Sequence, residues 1–155
     1  MTMAPAVPQL APLFDVVVEL GSPHDLGVTR VGHRRIVPIL GGTITGAVDA
    51  QILPGGADWQ RLRADGAIEI DGRYSARTAQ GEHLYLQVNG VRSGAPSVLA
   101  ALGRGEEVSP MEYYFRTSVT VETSSPGLTY LQDTLLVASC VREHSSVRYT
   151  AYRVA

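Results

Sequence analysis

The chain has 155 residues, 45% of them hydrophobic and 18% charged, a composition typical of one globular domain and not of a disordered segment. Its 13 basic and 15 acidic residues give a net charge of −2, which supplies no strong field for nucleic acid or an anionic membrane. The basic residues are all arginine, so lysine Schiff-base chemistry and a GxxxxGK phosphate loop are excluded. The single Cys140 likewise excludes an internal disulfide and a cysteine zinc cluster.

The N-terminal segment, residues 1–12, carries three prolines and no periodic pattern. It is predicted to be a flexible arm that precedes a single domain of residues 13–155. The segment has neither the basic start nor the apolar core of a signal peptide, and no apolar run in the chain approaches the roughly 18 residues of a membrane helix. The sequence therefore predicts a cytoplasmic protein without membrane contact.

Short stretches rich in β-branched residues alternate with turn signals along the rest of the chain. The predicted strands are residues 13–20, 31–40, 43–53, 67–78, 83–91, 113–123, 128–142 and 147–154. One helix is predicted at 96–102, because a proline stands at its start and Gly103 follows its end. Residues 58–64 could add one further helical turn. So many strands with so little helix predict an all-β fold, a single closed antiparallel β-barrel of about eight or nine strands with one short helix, since closure removes edge strands.

The turn at residues 79–82 sets the register of one predicted hairpin. A tight turn there puts Thr78 opposite His83 and Tyr74 opposite Gln87, so that Tyr74 and Tyr85 share a face. Both faces of the hairpin then mix polar and apolar residues, as expected for a barrel with a partly polar lumen, and a one-residue slip would exchange them. A barrel of about eight strands is wide enough for one small ligand.

The segment PGGADWQ at 54–60 is the most distinctive local feature. Its two glycines permit backbone conformations closed to other residues, and a carboxylate and a large flat ring follow. Asp58 would then act as a base or hydrogen-bond acceptor at a pocket mouth, and Trp59 would stack on a ligand. Alternatively, Asp58 caps a helical turn and Trp59 fills the core.

Two arginines, Arg73 and Arg116, fall in the middle of predicted strands. A lumen arginine without a protein partner would bind an anion, since its planar fork suits carboxylates and enolates. Alternatively, each arginine faces solvent or pairs with an acid such as Asp58, Asp71 or Glu122.

The four histidines show no metal-ligand spacing, and no metal or other cofactor is predicted. His83 is retained as a candidate base. The seven tyrosines are expected mostly to pack in the sheet with the hydroxyl at the rim, although two could line a pocket as acids.

Five motifs occur in a fixed order, and they are GGTITG at 41–46, PGGADWQ at 54–60, DG at 65–66, RYSART at 73–78 and YYFRTS at 113–118. Together they resemble a widespread bacterial and fungal family known as a conserved domain of unknown function, over nearly the whole chain from about residue 13 to residue 154. The resemblance implies a single-domain β-barrel similar to the allene-oxide-cyclase and lipocalin-like barrels, without an assigned reaction. The signature residues that it carries over are Gly55, Gly56, Asp58, Trp59, Arg73, Tyr74, Arg116 and Thr117.

The chain departs from the family pattern at two places. It has Tyr130-Leu131-Gln132 where relatives tend to have Trp-Leu-Asn, and Gly46-Ala47 where many have Gly-Pro. If the Trp–Asn pair shapes the ligand pocket, the ligand of this chain differs from that of its relatives.

The leading hypothesis is a cofactor-independent enzyme that carries out proton-transfer chemistry (isomerisation, cyclisation, hydration or dehydration) in the barrel cavity. Its substrate would be an apolar, oxygenated small molecule, aromatic or polyketide-like. Asp58 or His83 would be the base, and Arg73 or Arg116 would stabilise an enolate. The expected substrate contacts are Trp59, Tyr74, Tyr85, Tyr113, Thr117 and Tyr130.

Two other functions stay open. One is a small-molecule-binding barrel without catalysis, and the other is an oligomeric accessory protein whose mixed strand faces form subunit contacts. A nucleic-acid partner is not expected, and a homodimer or higher homo-oligomer is left open.

Overall fold

The computed structural model describes residues 1–155 and contains ten strands and one α-helix. The strands are β1 (Leu10–Leu20), β2 (His24–Thr29), β3 (Gly32–Gly46), β4 (Ala50–Ile52), β5 (Ala57–Leu62), β6 (Ile68–Thr78), β7 (His83–Gly94), β8 (Tyr113–Glu122), β9 (Leu136–Arg142) and β10 (Ser146–Val154). The helix α1 is Pro96–Gly103, and short 3₁₀ helices lie at Pro110–Glu112 and Thr129–Gln132. With eight residues, α1 is too short to cross a bilayer, and no other helix is long enough.

The strands form one closed antiparallel barrel, which confirms the predicted fold class. Around the ring, β1 pairs with β10, and the order continues through β9, β8, β7 and β6 to the short strands β4 and β5. Both short strands also pair with β3, and β3 pairs with β1, so the ring closes. The ring is eight strands around, because β4 and β5 together fill the place between β3 and β6. Strand β2 lies outside the ring and forms a hairpin with β3.

Several predicted boundaries are wrong. The segment that was expected to be loop and a helical turn after Gly56 is strand β5, which pairs with both β3 and β6. The strand β2 was not predicted, and the predicted strand 128–142 begins only at Leu136, because a 3₁₀ helix occupies Thr129–Gln132. The first strand begins at Leu10, within the predicted arm of residues 1–12.

The hairpin of β6 and β7 differs from its predicted register by one residue. Tyr74 lies opposite Leu86, and Arg77 lies opposite His83. The turn takes in residues 78–82, and within it Gly81 adopts a positive φ of 86° that favours glycine. The extra residue turns the side chains of His83 and Tyr85 to the outer face, and both strands then alternate cleanly between lumen and exterior.

The two ends of the barrel interior differ in their packing. One end is a solid core, and its side chains that are less than 2% exposed include Ile44, Leu84, Leu86, Val119 and Leu131. At the other end lie the last residues of β1, β7 and β9 and the first of β3 and β10, and here the interior holds a cavity. Helix α1 lies at this end, with Leu102 as its buried residue.

Candidate functional site

The cavity consists of two adjoining chambers that share five lining residues, among them Asp58 and Phe115. The apolar chamber has a cavity volume of about 50 Å³, and ten of its thirteen lining residues are hydrophobic. The arginine chamber has a cavity volume of about 90 Å³ and is named for its three arginines, Arg35, Arg92 and Arg142. An apolar space that leads to a few polar groups is the usual form of a small-molecule site.

Asp58 lies where the two chambers meet, on strand β5. Gly56 makes its approach possible, because a Cβ at that position would lie only 2.4 Å from the carbonyl oxygen of Arg73 and 2.7 Å from Cβ of Tyr74. Opposite Asp58 on β6 is Gly72, whose missing side chain leaves space beside the carboxylate. Gly56 and Gly72 therefore leave room for the Asp58 carboxylate to face the cavity.

The Asp58 carboxylate accepts two hydrogen bonds. The backbone N–H of Asp71 donates to Oδ1 at 2.9 Å, and Nε2 of Gln60 donates to Oδ2 at 2.8 Å. Desolvation by burial raises the pKa of Asp58, and the two hydrogen bonds and the charge of Arg92 only partly oppose that shift. The group is therefore a stronger base than an ordinary aspartate.

Gln60 connects Asp58 to Arg35. While its amide nitrogen donates to Asp58, its Oε1 accepts from both Nε and Nη2 of Arg35, at 2.9 and 2.7 Å. Gln60 is 6% exposed, so both of its polar atoms have their partners inside the protein. This chain of hydrogen bonds fixes the orientation of the carboxylate.

Arg92, near the end of β7, is 4% exposed and has no carboxylate in ion-pair contact. Its Nε is the one buried side-chain nitrogen or oxygen in the chain without a hydrogen-bond partner. The guanidinium carbon lies 5.4 Å from the centre of the Phe115 ring, within cation–π range. Desolvation, together with the charges of Arg142 and Arg35, lowers the pKa of Arg92 to about 10, so the side chain stays charged at neutral pH.

Arg142 completes the group of three. Its Nη1 donates to the carbonyl oxygens of Glu143 and Ser146, the latter at 3.1 Å, and it also makes no ion pair. Desolvation and the nearby charge of Arg35 lower its pKa. Three guanidinium groups therefore line one chamber with a single carboxylate.

Two tyrosines from opposite sides of the barrel meet in the apolar chamber. The hydroxyl groups of Tyr74 and Tyr149 form a hydrogen bond, and both side chains are buried. Burial raises the pKa of each, so both remain protonated. Since only one of the two protons is used in their mutual bond, the pair retains one proton to donate. Thr117 and Cys140 lie beside them, 3.9 Å apart, and burial raises the pKa of the Cys140 thiol to about 12.

Several side chains predicted to form the site lie on the outside of the barrel. Arg73 pairs with Asp71 on the exterior, at 3.2 Å, and its guanidinium lies 6.0 Å from the Trp59 ring. Arg116 is exposed and lies over Tyr114. These contacts follow from strand alternation, because Arg73 and Arg116 adjoin the inward residues Tyr74 and Thr117. Both arginines therefore follow the alternative left open for them, an exposed position or a pair with an acid, and neither they nor Trp59 line the cavity.

The remaining predicted residues divide between the lumen and the surface. His83 and Tyr85 lie on the outer face for the register reason given above, and Tyr130 is 46% exposed. Tyr113 is buried, and its hydroxyl oxygen accepts from the backbone N–H of Arg142 at 3.0 Å. Among the predicted site residues, Asp58, Tyr74 and Thr117 line the cavity.

Sequence reasoning missed the polar residues Arg35, Gln60, Arg92, Arg142 and Tyr149. Arg92 and Arg142 end strands whose inward positions are otherwise apolar and recur at every second residue. The inward set on β9, for example, is Leu136, Ala138, Cys140 and then Arg142. With the register fixed, this period-two pattern would have assigned both arginines to the lumen.

Comparison with known proteins agrees with the family resemblance and with the barrel. A family model described as "Protein of unknown function (DUF3237)" matches residues 8–154. The chain belongs to this family. A UPF0311 protein of Bradyrhizobium diazoefficiens is 37% identical over 142 residues, which cover 92% of this chain and 93% of the relative.

Two solved structures are similar over almost the whole chain. A β-barrel-like protein from Acinetobacter baumannii has a TM-score of 0.86 and 39% identity, with 99% of this chain and 100% of the other covered. A protein from Penicillium herquei, described as an enzyme, has a TM-score of 0.72 and 18% identity, with both chains covered completely. At that identity the second likeness concerns the fold alone.

Proposed function

We propose that this protein is a cofactor-independent enzyme that transfers a proton on an apolar, oxygenated small molecule bound in the barrel cavity. The observation that carries the proposal is the Asp58 carboxylate, held by two hydrogen bonds at the junction of an apolar and a cationic chamber. A carboxyl group with a raised pKa in a cavity is a frequent mark of general acid–base catalysis. The enzyme described from Penicillium herquei has the same fold, which is compatible with catalysis in such a barrel.

In this mechanism Asp58 removes a proton from a carbon next to a substrate carbonyl group. Burial makes the carboxylate more basic, and Gln60 and Arg35 keep it in one orientation. A positioned base of this kind contributes a rate factor of about 10²–10⁴. The same carboxyl group, once protonated, returns the proton to another atom of the substrate, which gives an isomerisation, or assists a cyclisation or elimination.

The hydroxyl pair of Tyr74 and Tyr149 is the proposed donor to the substrate oxygen on which negative charge develops. The pair has one unused proton and shares the apolar chamber with Asp58. A hydrogen bond that strengthens as an enolate forms contributes about 10²–10³ in rate. Tyr74 and Asp58 thus keep predicted roles, whereas Arg73, Arg116 and His83 have none in the proposed mechanism.

The test uses exchange of carbon-bound hydrogen, which does not require the natural substrate. Apolar ketones such as 2-tetralone are incubated with the protein in D₂O, and deuterium incorporation next to the carbonyl is followed by NMR. We expect the protein to accelerate exchange, and the Asp58→Asn variant to lose about 10²–10⁴-fold of that acceleration. Tyr74→Phe should lose a smaller factor, because Tyr149 still supplies a hydroxyl group.

The matched control is Glu69→Gln, which removes a carboxylate from the outer face of β6, where Glu69 pairs with Arg61 at 2.7 Å. It should exchange at the wild-type rate. Ketones that bind in the cavity without accelerated exchange would contradict catalysis and favour the binding barrel instead. A cytoplasmic location and formation of a homo-oligomer stay predictions of the sequence.

A further inference from the structure

The arginine chamber holds more positive charge than its protein groups neutralise. Arg35, Arg92 and Arg142 line it together with one carboxylate, that of Asp58, and none of the three makes an ion pair. Their charges repel, since Arg142 and Arg35 each oppose the charged form of Arg92. Buried charges are ordinarily paired, because desolvation of an isolated ion is costly.

Arg92 has the most unused hydrogen-bonding capacity of the three. Arg35 donates to Gln60 and Arg142 donates to two backbone carbonyls, whereas no side-chain nitrogen of Arg92 donates to any protein atom. Arg92 is nevertheless 4% exposed and its Nε is buried without a partner, so water can take the place of a partner only at the Nη atoms. A planar guanidinium with its donors free is matched by a planar anion that accepts two parallel hydrogen bonds.

We infer that the arginine chamber binds the carboxylate of an apolar carboxylic acid, with Arg92 as the main anchor and the apolar body of the molecule in the adjoining chamber. The inference rests on the proposed function, because it places the ligand in the same cavity as the substrate of the proposed enzyme. It adds the chemical class of that substrate. The body must be apolar because the neighbouring chamber is lined mainly by hydrophobic side chains. A carboxylate bound at Arg92 has no proton for Asp58 to remove, so it would orient the substrate, and the reacting carbon would belong to the rest of the molecule.

The experiment compares two ligands that differ only in charge, 2-naphthoate and 2-naphthamide, by titration calorimetry at neutral pH. The wild-type protein should bind the acid about 10- to 100-fold more tightly than the amide, the range for hydrogen bonds to a charged group. Arg92→Met should bind both with similar affinity. Arg116→Met is the matched control, because Arg116 is an exposed arginine on the outer face of β8, and its preference for the acid should equal that of the wild type.

Four results would overturn the inference, three with the two ligands and one with phosphate. The first three are equal affinity of wild type for acid and amide, failure of the acid to bind at millimolar concentration, and a preference for the acid that persists in Arg92→Met. Inorganic phosphate that displaces 2-naphthoate at equal concentration would also overturn it, because the site would then recognise any small anion. The wild-type comparison stands even if a variant fails to fold.

Failure of this inference can be told apart from failure of the proposed function. Asp58→Asn removes the proposed base but leaves all three arginines in place, so it should keep the preference for the acid. Preference for the acid without hydrogen exchange on any ketone would support the anion site alone, and exchange without that preference would support the enzyme alone.

Discussion

The arginines outside the barrel and those inside it have opposite surroundings. On the exterior, five arginines each pair with a carboxylate, and the pairs are Arg61–Glu69, Arg63–Asp65, Arg73–Asp71, Arg104–Glu106 and Arg148–Glu143. In the cavity, Arg35 donates to an amide, Arg142 to backbone carbonyls, and Arg92 to no protein group. Most carboxylate partners therefore lie on the exterior, where water already screens charge. They are scarce in the cavity, where burial of an unpaired charge is costly in free energy.

The exterior and cavity arginines therefore differ in their contribution to the free energy of unfolding. Exposed ion pairs contribute about 0–1 kcal/mol each, so their loss changes little. A buried guanidinium without a counter-ion destabilises the folded chain, and such a cost is usual at sites that bind or react. The proposed anion site accounts for the cost at Arg92, since a bound carboxylate would supply the missing partner.

The largest expected effect on stability is at Arg92. Replacing it with Met removes a buried charge and retains much of the side-chain volume against Phe115, so we expect the free energy of unfolding to rise by about 1–4 kcal/mol. Because the folded pKa is about 10, below that of the unfolded chain, the cost of the charge is present at neutral pH and is lost as pH rises through that value. Urea denaturation at neutral pH measures the gain. A destabilised Arg92→Met would show that Arg92 stabilises the fold.

Gln60→Leu is expected to act in the opposite direction. The change leaves Asp58 and Arg35 each without a buried hydrogen-bond partner, which should lower the free energy of unfolding by about 1–3 kcal/mol. The comparison variant is Gln87→Leu, which removes a glutamine from the outer side of β7 and should cost less. Thermal unfolding of both variants checks this, and equal losses would mean that the Arg35–Gln60–Asp58 chain contributes nothing.

The difference between the inner and outer faces also explains which parts of the molecule the sequence could predict. Alternation and turn signals were sufficient for an all-β barrel, because closure follows from many short strands with little helix. The register of the β6–β7 hairpin was not predicted, since the turn takes five residues, 78–82, and not the four at 79–82, and that difference decides whether His83 and Tyr85 face the lumen. Because side chains alternate with a period of two, a register error of one residue places every side chain of the strand on the wrong face.

For the site, the sequence predicted Asp58 and Tyr74 but not the arginines that accompany them. Arg73 and Arg116 were predicted as candidates because they fall in the middle of strands, yet they adjoin inward residues and therefore point outward. Arg92 lies near the end of β7, where the apolar alternation is interrupted by Gly90. A charged residue at that position ordinarily marks the end of the buried pattern, and only the closed barrel shows that Phe115 of β8 packs against it.

A smaller effect concerns the pH dependence of Asp58. Its folded pKa is raised above the unfolded value, so the contribution to stability is present at low pH and is lost as pH rises through the folded pKa. The free energy of unfolding of Asp58→Asn minus that of wild type should therefore increase with pH between the unfolded and the folded pKa of Asp58. The increase should be about 1.4 kcal/mol for each unit by which the pKa is raised. The subtraction cancels the exposed acids Asp25 and Asp65, which both chains contain. A difference that is constant with pH would contradict the raised pKa.

The smallest expected effect is at Arg73, and it tests whether the two faces of the barrel wall are independent. Arg73 makes an exposed ion pair with Asp71, so Arg73→Met should cost about 0–1 kcal/mol of unfolding free energy. Although Asp71 donates its backbone N–H to Asp58, its side chain faces the exterior, and no side-chain contact joins Arg73 to Asp58. The double variant Arg73→Met/Asp58→Asn should then show the sum of the two single effects to within about 0.5 kcal/mol. Large single losses that are recovered in the double variant would instead establish a salt bridge across the wall, and Asp58 would then be a structural partner of Arg73 and not a base in the cavity.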